Sequence, residues 1–170
     1  MKQDKSATAG LGYRKAILKK GKMMRILVSL CLALMLNGPA FADYYEPARG
    51  TEERAAMLDA LRAHAEEQLG APIEFLVYEL RVNGPVGFAA VHAQRPGGGA
   101  IDLYATPGFA EGTIDPEMMD GTSMQALMRL SGRTWVAVHW AIGPTDVWFS
   151  YAPFCRRYRS VIADYCAGVE

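Results

Sequence analysis

The sequence predicts an α+β domain: an N-terminal helix packed on a curved antiparallel sheet of four to five strands, with a short C-terminal helix. Apolar residues recur at helical spacing between residues 51 and 70. Two pairs of alternating segments follow, joined by turn signals at Asn83-Gly84 and Ser131-Gly132. Because helices and strands are segregated along the chain, an α+β architecture is favoured over alternating α/β units.

Residues 1–42 are typical of a secretory signal peptide. An apolar run at residues 26–36 is too short to cross a bilayer as a helix; it follows a lysine-rich stretch and precedes an Ala-x-Ala cleavage site that ends at Ala42. A later methionine would give a signal of ordinary length, so residues 1–22 are interpreted as an over-extended start. We expect a single domain over residues 43–170, periplasmic or secreted.

The domain that remains is acidic and contains two cysteines. Its ten arginines are outnumbered by 17 aspartates and glutamates, with no lysine, so nucleic acid is a poor partner. No membrane span is expected after signal cleavage. In an exported protein, Cys155 and Cys166 predict one disulfide that stabilises the C-terminal segment by about 2–3 kcal/mol. Three scattered histidines offer no zinc spacing, and neither a metal nor a cofactor is expected.

The first predicted element is an amphipathic helix with clear ends. Thr51 is a favourable N-cap, and Gly70 followed by Pro72 is typical of a helix C-terminus. A strand over residues 73–82 and a return strand over residues 86–93 are expected next. The apolar face of the helix, which must pack on these strands, consists of Met57, Leu58, Leu61, Ala65 and Leu69.

Strict alternation along the strands predicts which side chains share a face. In the first strand it places Val77 and Leu80 on opposite faces of the sheet. In the last strand, Thr134–Ile142, it places Val138 and Trp140 together, with His139 on the opposite face.

The connection between the two hairpins is the least regular part of the sequence. A glycine-rich loop without the spacing of a phosphate-binding loop precedes a short strand expected at residues 101–104. Residues 106–121 then show no clear periodicity. A segment of this length inside a small domain is either functional or simply mobile.

The last strand and the last helix have recognisable boundaries. Gly143-Pro144 is predicted to end the strand, and Thr145 or Asp146 is predicted to cap the turn that follows. Pro153 is well placed at the start of the last helix.

Side chains around the end of that strand are the candidates for a functional site. His139 and Asp146 would act as base and orienting group if they meet in a cleft, and Trp140 and Trp148 would supply its aromatic walls. Structural roles are nevertheless favoured for all four, because turn formation and sheet packing already explain these residue types there.

Other catalytic constellations are missing from the sequence. No G-x-S-x-G or H-E-x-x-H motif occurs, and a disulfide would remove both thiols as nucleophiles. His64 is interpreted as a solvated or rim residue of the helix and His92 as a structural strand residue. Arg156-Arg157-Tyr158-Arg159 is a local basic cluster that either pairs with the protein's own carboxylates, the favoured interpretation, or accepts an acidic partner.

Three stretches carry a family resemblance. They are the helix over residues 54–69, the Pro-Ile-Glu-Phe segment at residues 72–75, and Trp135-Val136-x-Val138 leading into Ala-Ile-Gly-Pro-Thr-Asp-Val at residues 141–147. The chain resembles a small family of exported proteobacterial proteins with no assigned activity. The resemblance implies no catalytic residue or cofactor, but it suggests that the Gly-Pro-Thr-Asp corner matters to the fold. By analogy, the order of elements also suits a cystatin-like or NTF2-like half-cone, although fold does not determine function.

The sequence therefore favours a non-enzymatic binding or accessory protein whose partner is a small apolar ligand or an envelope protein. One alternative is a small hydrolase or lyase that uses a cavity lined by His139 and Asp146. The other is a structural envelope protein that dimerises through its sheet.

Overall fold

Residues 44–169 are described by a computed structural model, and the predicted signal peptide, residues 1–42, lies outside them. The described residues form three α-helices and four strands. In chain order these are α1 (Glu52–Leu69), β1 (Glu74–Asn83), β2 (Val86–Gln94), α2 (Pro107–Ala110), β3 (Ser123–Ser131), β4 (Thr134–Ile142) and α3 (Ala152–Ile162).

Helix α1 begins and ends as predicted. The Thr51 side chain accepts a hydrogen bond from the backbone N–H of Arg54 at 3.3 Å. Gly70 follows the helix with φ of 77°, a conformation that favours glycine, and its N–H donates to the Glu66 carbonyl at 2.9 Å. The predicted apolar face is buried at four positions, Met57, Leu61, Ala65 and Leu69.

The four strands form one antiparallel sheet in the order β1-β2-β3-β4. Both predicted hairpins are present, with Asn83 paired to Val86 and Ser131 paired to Thr134. Residues 95–122 make the long connection between β2 and β3. The predicted architecture, a helix packed on an antiparallel sheet with a short C-terminal helix, is therefore confirmed.

The sheet has an apolar core on each face. Helix α1 covers one face, against buried sheet side chains that include Leu80, Val91 and Met128. Helix α3 and the turn after it cover the other face, against Phe88 and Leu127. Each large side chain fully buried in this way stabilises the fold by about 1.5–3 kcal/mol. The sheet is thus the middle of three layers.

A β-bulge in β1 changes which side chains face α1. The pairing with β2 shifts between Val77 and Glu79, so Tyr78 is an extra residue without a partner in the ladder. Beyond this point the alternation is displaced by one position, and Leu80 packs in the same α1-facing cluster as Val77. The prediction that Val77 and Leu80 lie on opposite faces is wrong for this reason.

A second bulge has the same effect in β4. Leu127 and Met128 are adjacent in β3 but pair with His139 and Ala137, which leaves Val138 as the extra residue. Trp140 consequently packs against the α1-facing cluster, whereas Val138 is 42% exposed. The expectation that Val138 and Trp140 share a face is wrong.

The strand expected at residues 101–104 is also wrong. A 3-10 turn occupies Leu103–Ala105, and the Asp102 side chain caps it by accepting from the Tyr104 N–H at 3.1 Å. This local side-chain bond competes with sheet pairing. The segment at residues 106–121 contains α2, whose N-cap is Thr106.

The corner after β4 follows its prediction in part. Gly143 ends the strand with φ of 62°, its N–H bonded to the Ser123 carbonyl at 2.6 Å. The next turn, Trp148–Ser150, has Val147 at its N-cap position and no side-chain cap, so the capping role expected of Thr145 or Asp146 is wrong. The path of the chain after β4 is set by backbone hydrogen bonds, such as those from the Gly143 N–H to the Ser123 carbonyl and from the Ser150 N–H to the Val147 carbonyl.

Helix α3 and the disulfide follow their predictions. A proline occupies the first turn of the helix. Cys155 and Cys166 are bonded, with Cα atoms 5.7 Å apart, and the disulfide ties the start of α3 to the turn that follows it. Among residues 44–169, no helix is long and apolar enough to cross a membrane.

Candidate functional site

A cleft of about 310 Å³ opens where β2 ends and the chain later re-enters the sheet at β3. Its walls are the last residues of β2, the glycine-rich loop that follows, and the two residues before β3. The side chains that line it include His92, Gln94, Ile101, Leu103 and Thr122. Clefts that bind small molecules start at about 300 Å³ and combine apolar walls with a few polar groups, as this one does.

The glycine-rich wall is held by backbone hydrogen bonds. The Arg95 N–H donates to the Gly99 carbonyl at 2.7 Å, and the Gly98 N–H donates to the Arg95 carbonyl at 3.0 Å. Gly97 and Gly98 have φ values of 81° and 89°, which other residues rarely adopt. The Glu74 carboxylate also accepts from the Gly97 N–H at 2.8 Å. The loop is therefore a defined wall of the cleft.

The Arg95 side chain fastens this wall to the end of α1. Its guanidinium donates to the carbonyls of Leu69 at 2.9 Å and Pro72 at 3.1 Å, and also to Gly70. The last turn of α1 contains no basic residue of its own. Arg95 thus supplies both the donors and the positive charge that a helix C-terminus favours.

A short chain of hydrogen bonds fixes the main polar group of the cleft. The Thr122 hydroxyl oxygen lies 2.6 Å from the Ala93 carbonyl oxygen and 3.2 Å from Nε2 of His92. A carbonyl oxygen carries no proton, so the hydroxyl must donate its single hydrogen to Ala93. The Thr122 oxygen then accepts from His92, whose Nε2 must carry the proton.

This arrangement makes His92 an acceptor and leaves Thr122 unactivated. In neutral histidine with a proton on Nε2, Nδ1 has a free lone pair. A hydroxyl nucleophile would instead donate its proton to the histidine, which is the opposite of the direction that the bond to the Ala93 carbonyl implies. The cleft therefore presents a fixed hydrogen-bond acceptor beside apolar side chains, which suits binding.

The predicted base and orienting group do not meet. His139 is half-buried, with its ring centroid 4.8 Å from that of Phe154, and Asp146 is exposed in the segment after β4. Within residues 44–169, no hydrogen bond or ion pair joins His139 to Asp146, and neither lines the cleft at His92. A catalytic role for this pair remains a prediction that no contact supports.

The two candidate tryptophans lie on opposite faces of the sheet. Trp140 stacks on His64 of α1, with centroids 4.7 Å apart and an interplanar angle of 22°. Trp148 packs edge-on against Phe149 and Phe154 in the α3-facing cluster. They therefore do not form two walls of one pocket. His64, expected to be solvated or at the rim of the helix, is half-buried and packs on this aromatic ring.

A second polar cluster surrounds Arg81, which is 6% exposed beneath α3. Its Nη1 donates to the Val161 carbonyl at 3.0 Å, and its two terminal nitrogens bond both Asp164 oxygens at 2.7 and 2.9 Å. Glu79 lies 2.5 Å from Nη2 in a further ion pair. The guanidinium also lies 4.6 Å from the ring centroid of Tyr44. This cluster joins β1 to the C-terminal segment.

The ionisable groups around Arg81 are shifted in the directions that this packing requires. The hydrogen bond from Arg81 lowers the pKa of Asp164. Burial, reinforced by a 2.5 Å hydrogen bond from its hydroxyl to Glu79, raises the pKa of Tyr165 to about 12. Since both carboxylates face the guanidinium, the arrangement is best explained as a structural fastening.

Sequence reasoning missed the His92–Thr122 contact and the Arg81 cluster. The signal for the first was present: if the two hairpins are adjacent, the end of β2 must lie beside the start of β3, which brings His92 to Thr122. No comparable signal exists for Arg81 and Asp164, because they are 83 residues apart.

The described residues contain no group of three or more histidines, cysteines or carboxylates that could hold a metal ion. Comparison of the chain with protein-family models, curated proteins and solved structures finds no significant match. The resemblance to an exported proteobacterial family and the half-cone analogy therefore remain predictions.

Proposed function

We propose that this protein is a non-enzymatic binding protein of the cell envelope that holds a small ligand in the cleft at His92. The hydrogen-bond chain from His92 through Thr122 to the Ala93 carbonyl is the observation that supports it. These hydrogen bonds orient the imidazole as an acceptor. They also direct the hydroxyl proton to the Ala93 carbonyl, whereas catalysis would need it to be donated to the histidine. Fixed polar groups of this kind give a binding site its specificity.

The lining indicates the chemistry of the ligand. Nδ1 of His92 accepts a hydrogen bond, the Gln94 amide both donates and accepts, and Ile101 and Leu103 offer apolar contact. The acidic character of the domain disfavours an anion. The ligand is therefore a small neutral molecule with a hydrogen-bond donor next to an apolar group. This is a more specific class than the small apolar ligand expected from the sequence.

An envelope location is supported by two independent features. The leader has the composition of a secretory signal, and Cys155 and Cys166 form a disulfide. Stable disulfides are typical of oxidising compartments such as the periplasm or the extracellular space.

The proposal is tested by NMR of the histidine side chains, with N-acetyl-leucinamide as the first of a panel of neutral amides. Without a ligand, the imidazole ¹⁵N shifts of His92 should show the proton on Nε2, and Thr122→Val should return the ring to a mixture of tautomers. The amide should then perturb His92, Gln94 and Ile101, because its N–H groups bond Nδ1 while its side chain contacts the apolar wall.

The matched control is the same substitution at a histidine outside the cleft. His92→Phe removes the acceptor and should abolish binding of the amide, while His139→Phe should leave it unchanged. If no neutral amide perturbs the lining residues, or if His139→Phe has the larger effect, the proposal is wrong.

The two alternative functions have direct tests. A hydrolase or lyase that depends on His139 and Asp146 would lose its turnover when both are replaced by alanine. A protein that dimerises through its sheet would show a concentration-dependent mass by light scattering. The 41% and 42% exposure of Val136 and Val138, on a strand at the edge of the sheet, is the feature that favours this second alternative.

A further inference from the structure

Charge is distributed very unevenly along the folded domain. Residues 44–120 contain thirteen carboxylates and five arginines, whereas residues 121–163 contain five arginines and a single carboxylate, Asp146. The acidic average of the protein therefore conceals a basic region formed by β3, β4 and α3.

Four arginines of this region have no side-chain partner among residues 44–169. The side chains of Arg129, Arg133, Arg156 and Arg157 are all exposed, and none of them makes a hydrogen bond or ion pair with the part of the chain that the structure describes. Arg159 donates only to a backbone carbonyl, that of Val169, at 2.7 Å. Within residues 44–169, the Arg156-Arg157-Tyr158-Arg159 cluster pairs with no carboxylate, so the favoured interpretation finds no support in the described part of the chain.

Two of these arginines, from different elements, lie on the same side of the sheet. Tyr158 of α3 is fully buried and packs in one cluster with Leu127 of β3. Arg129 is two residues after Leu127 in the same strand, so it belongs to the face of the sheet that α3 covers, and Arg157 is next to Tyr158 in α3. Burial raises the pKa of Tyr158, while the positive charges of Arg157 and Arg129 act in the opposite direction. Arg129 is paired across the sheet with Val136, which is 41% exposed.

We propose that this surface, the basic face formed by Arg129, Arg133, Arg156, Arg157 and Val136, docks an acidic segment of a partner protein. A guanidinium binds a carboxylate through two parallel hydrogen bonds and loses its water more easily than an ammonium does. Arginines beside an exposed valine therefore fit a chain that alternates carboxylates with apolar side chains.

The charge distribution favours a protein segment over a uniform polyanion. The thirteen carboxylates of residues 44–120 repel an extended anionic polymer or an anionic membrane over a distance of about 8–10 Å at moderate ionic strength. A short acidic segment can contact the basic face without approaching the rest of the domain. Burial of the exposed Val136 also requires an apolar side chain from the partner, and a phosphate polymer has none.

The test measures binding of a fluorescent peptide of alternating glutamate and valine by anisotropy, at low and at moderate ionic strength. Arg129→Gln and Arg157→Gln should each weaken binding about tenfold, the effect of losing one charge-assisted interfacial contact. Arg49→Gln is the matched control, since Arg49 is exposed and lies outside the basic face. It should change binding less than about twofold. All three substitutions are on the surface, and unchanged thermal unfolding confirms that each variant is folded.

Several results would overturn the proposal. They are absence of binding of the glutamate–valine peptide at low ionic strength, equal binding of a lysine–valine peptide, and equal losses in the Arg49 and Arg157 variants. Tighter binding of polyphosphate or of vesicles containing phosphatidylglycerol would assign the face to a polyanion or a membrane instead. A dimer that dissociates in Arg157→Gln would assign it to a second copy of this chain. Because His92 lies outside the basic face, His92→Phe should leave peptide binding intact, so the two proposals fail separately.

Discussion

Replacing Arg81 by methionine should destabilise the protein by detaching the C-terminal segment from the sheet. Methionine retains much of the apolar length of the arginine side chain, so the loss of burial is small. The guanidinium, however, is the donor to the Val161 carbonyl and to both oxygens of Asp164, and the ion-pair partner of Glu79. All of these acceptors lose their partner at once.

The expected cost follows from the exposure of each acceptor. A buried carbonyl without its donor, here that of Val161, costs about 1–3 kcal/mol. The side chain of Asp164 is 56% exposed, so water can replace the guanidinium there, and its pair with Arg81 is closer to a surface ion pair, at about 0–1 kcal/mol. Oε2 of Glu79, in contrast, is buried and would lose its ion-pair partner, which costs about 1–3 kcal/mol. We expect Arg81→Met to lower the free energy of unfolding by about 4 kcal/mol in total.

Urea unfolding near neutral pH measures this loss, and Arg62→Met is the control. Arg62 also bonds a carboxylate and a backbone carbonyl, but its side chain is 33% exposed and that of its partner Asp59 is 69% exposed, so water can replace the guanidinium. Its replacement should cost less than about 1 kcal/mol. A loss below about 1 kcal/mol for Arg81→Met, or one equal to that of Arg62→Met, would refute the reasoning.

The pH dependence gives a second check on Arg81. In the folded protein, the pKa of Asp164 lies below its ordinary value of 3.8. The contribution of Asp164 to the free energy of unfolding is therefore complete above pH 3.8 and is lost as the pH falls through the folded-state pKa. The stability difference between wild type and Arg81→Met should therefore shrink in acid. A difference that is constant down to the acid limit would contradict the assigned role of Asp164.

Two further predictions concern the corner after β4 and the most perturbed tyrosine. Gly143→Ala and Gly132→Ala both place alanine at φ of 62°, at about 1–2 kcal/mol each, but only at Gly143 would the new Cβ lie 2.5 Å from Met119 and 2.8 Å from the Gly121 carbonyl. Overpacking should therefore make Gly143→Ala worse by about 1–3 kcal/mol in urea unfolding, and equal losses would count against the contact. Tyr165→Phe should remove a tyrosine that ionises at about pH 12 in a spectrophotometric titration. Since its folded-state pKa is raised, the stability of the wild type should fall as the pH rises from 10 towards 12, and a variant that shows the same decline would contradict this.

The predictable parts of the fold are those determined by neighbouring residues. The N-cap at Thr51, the glycine after α1 and the Asn83-Gly84 turn each act within a few residues, so their effects can be read from the sequence. The proline in the first turn of α3 belongs to the same class, as does the disulfide, whose cysteines are only eleven residues apart.

The errors come from packing between distant residues. Nothing in the alternation of β1 or β4 identifies Tyr78 or Val138 as a bulge. An extra residue is tolerated wherever the shift in register lets more apolar side chains be buried on the two faces of the sheet. Likewise, the contact between His92 and Thr122 spans 30 residues of irregular chain. Periodicity carries no information about such contacts. The sequence-based candidates are on β4 and in the segment after it, two strands away from β2, and none of them lines the cleft.

The simple strand order has a consequence for the order of folding. Each strand pairs with its neighbour along the chain, so the two hairpins can form through contacts of short sequence separation, which is typical of fast steps. The α3 layer instead depends on contacts such as Arg81 to Asp164, 83 residues apart. Until the C-terminal segment packs on the sheet, Phe88 and Leu127 are exposed to solvent. A chain halted or cut before α3 should therefore form its sheet quickly and then aggregate through the uncovered face.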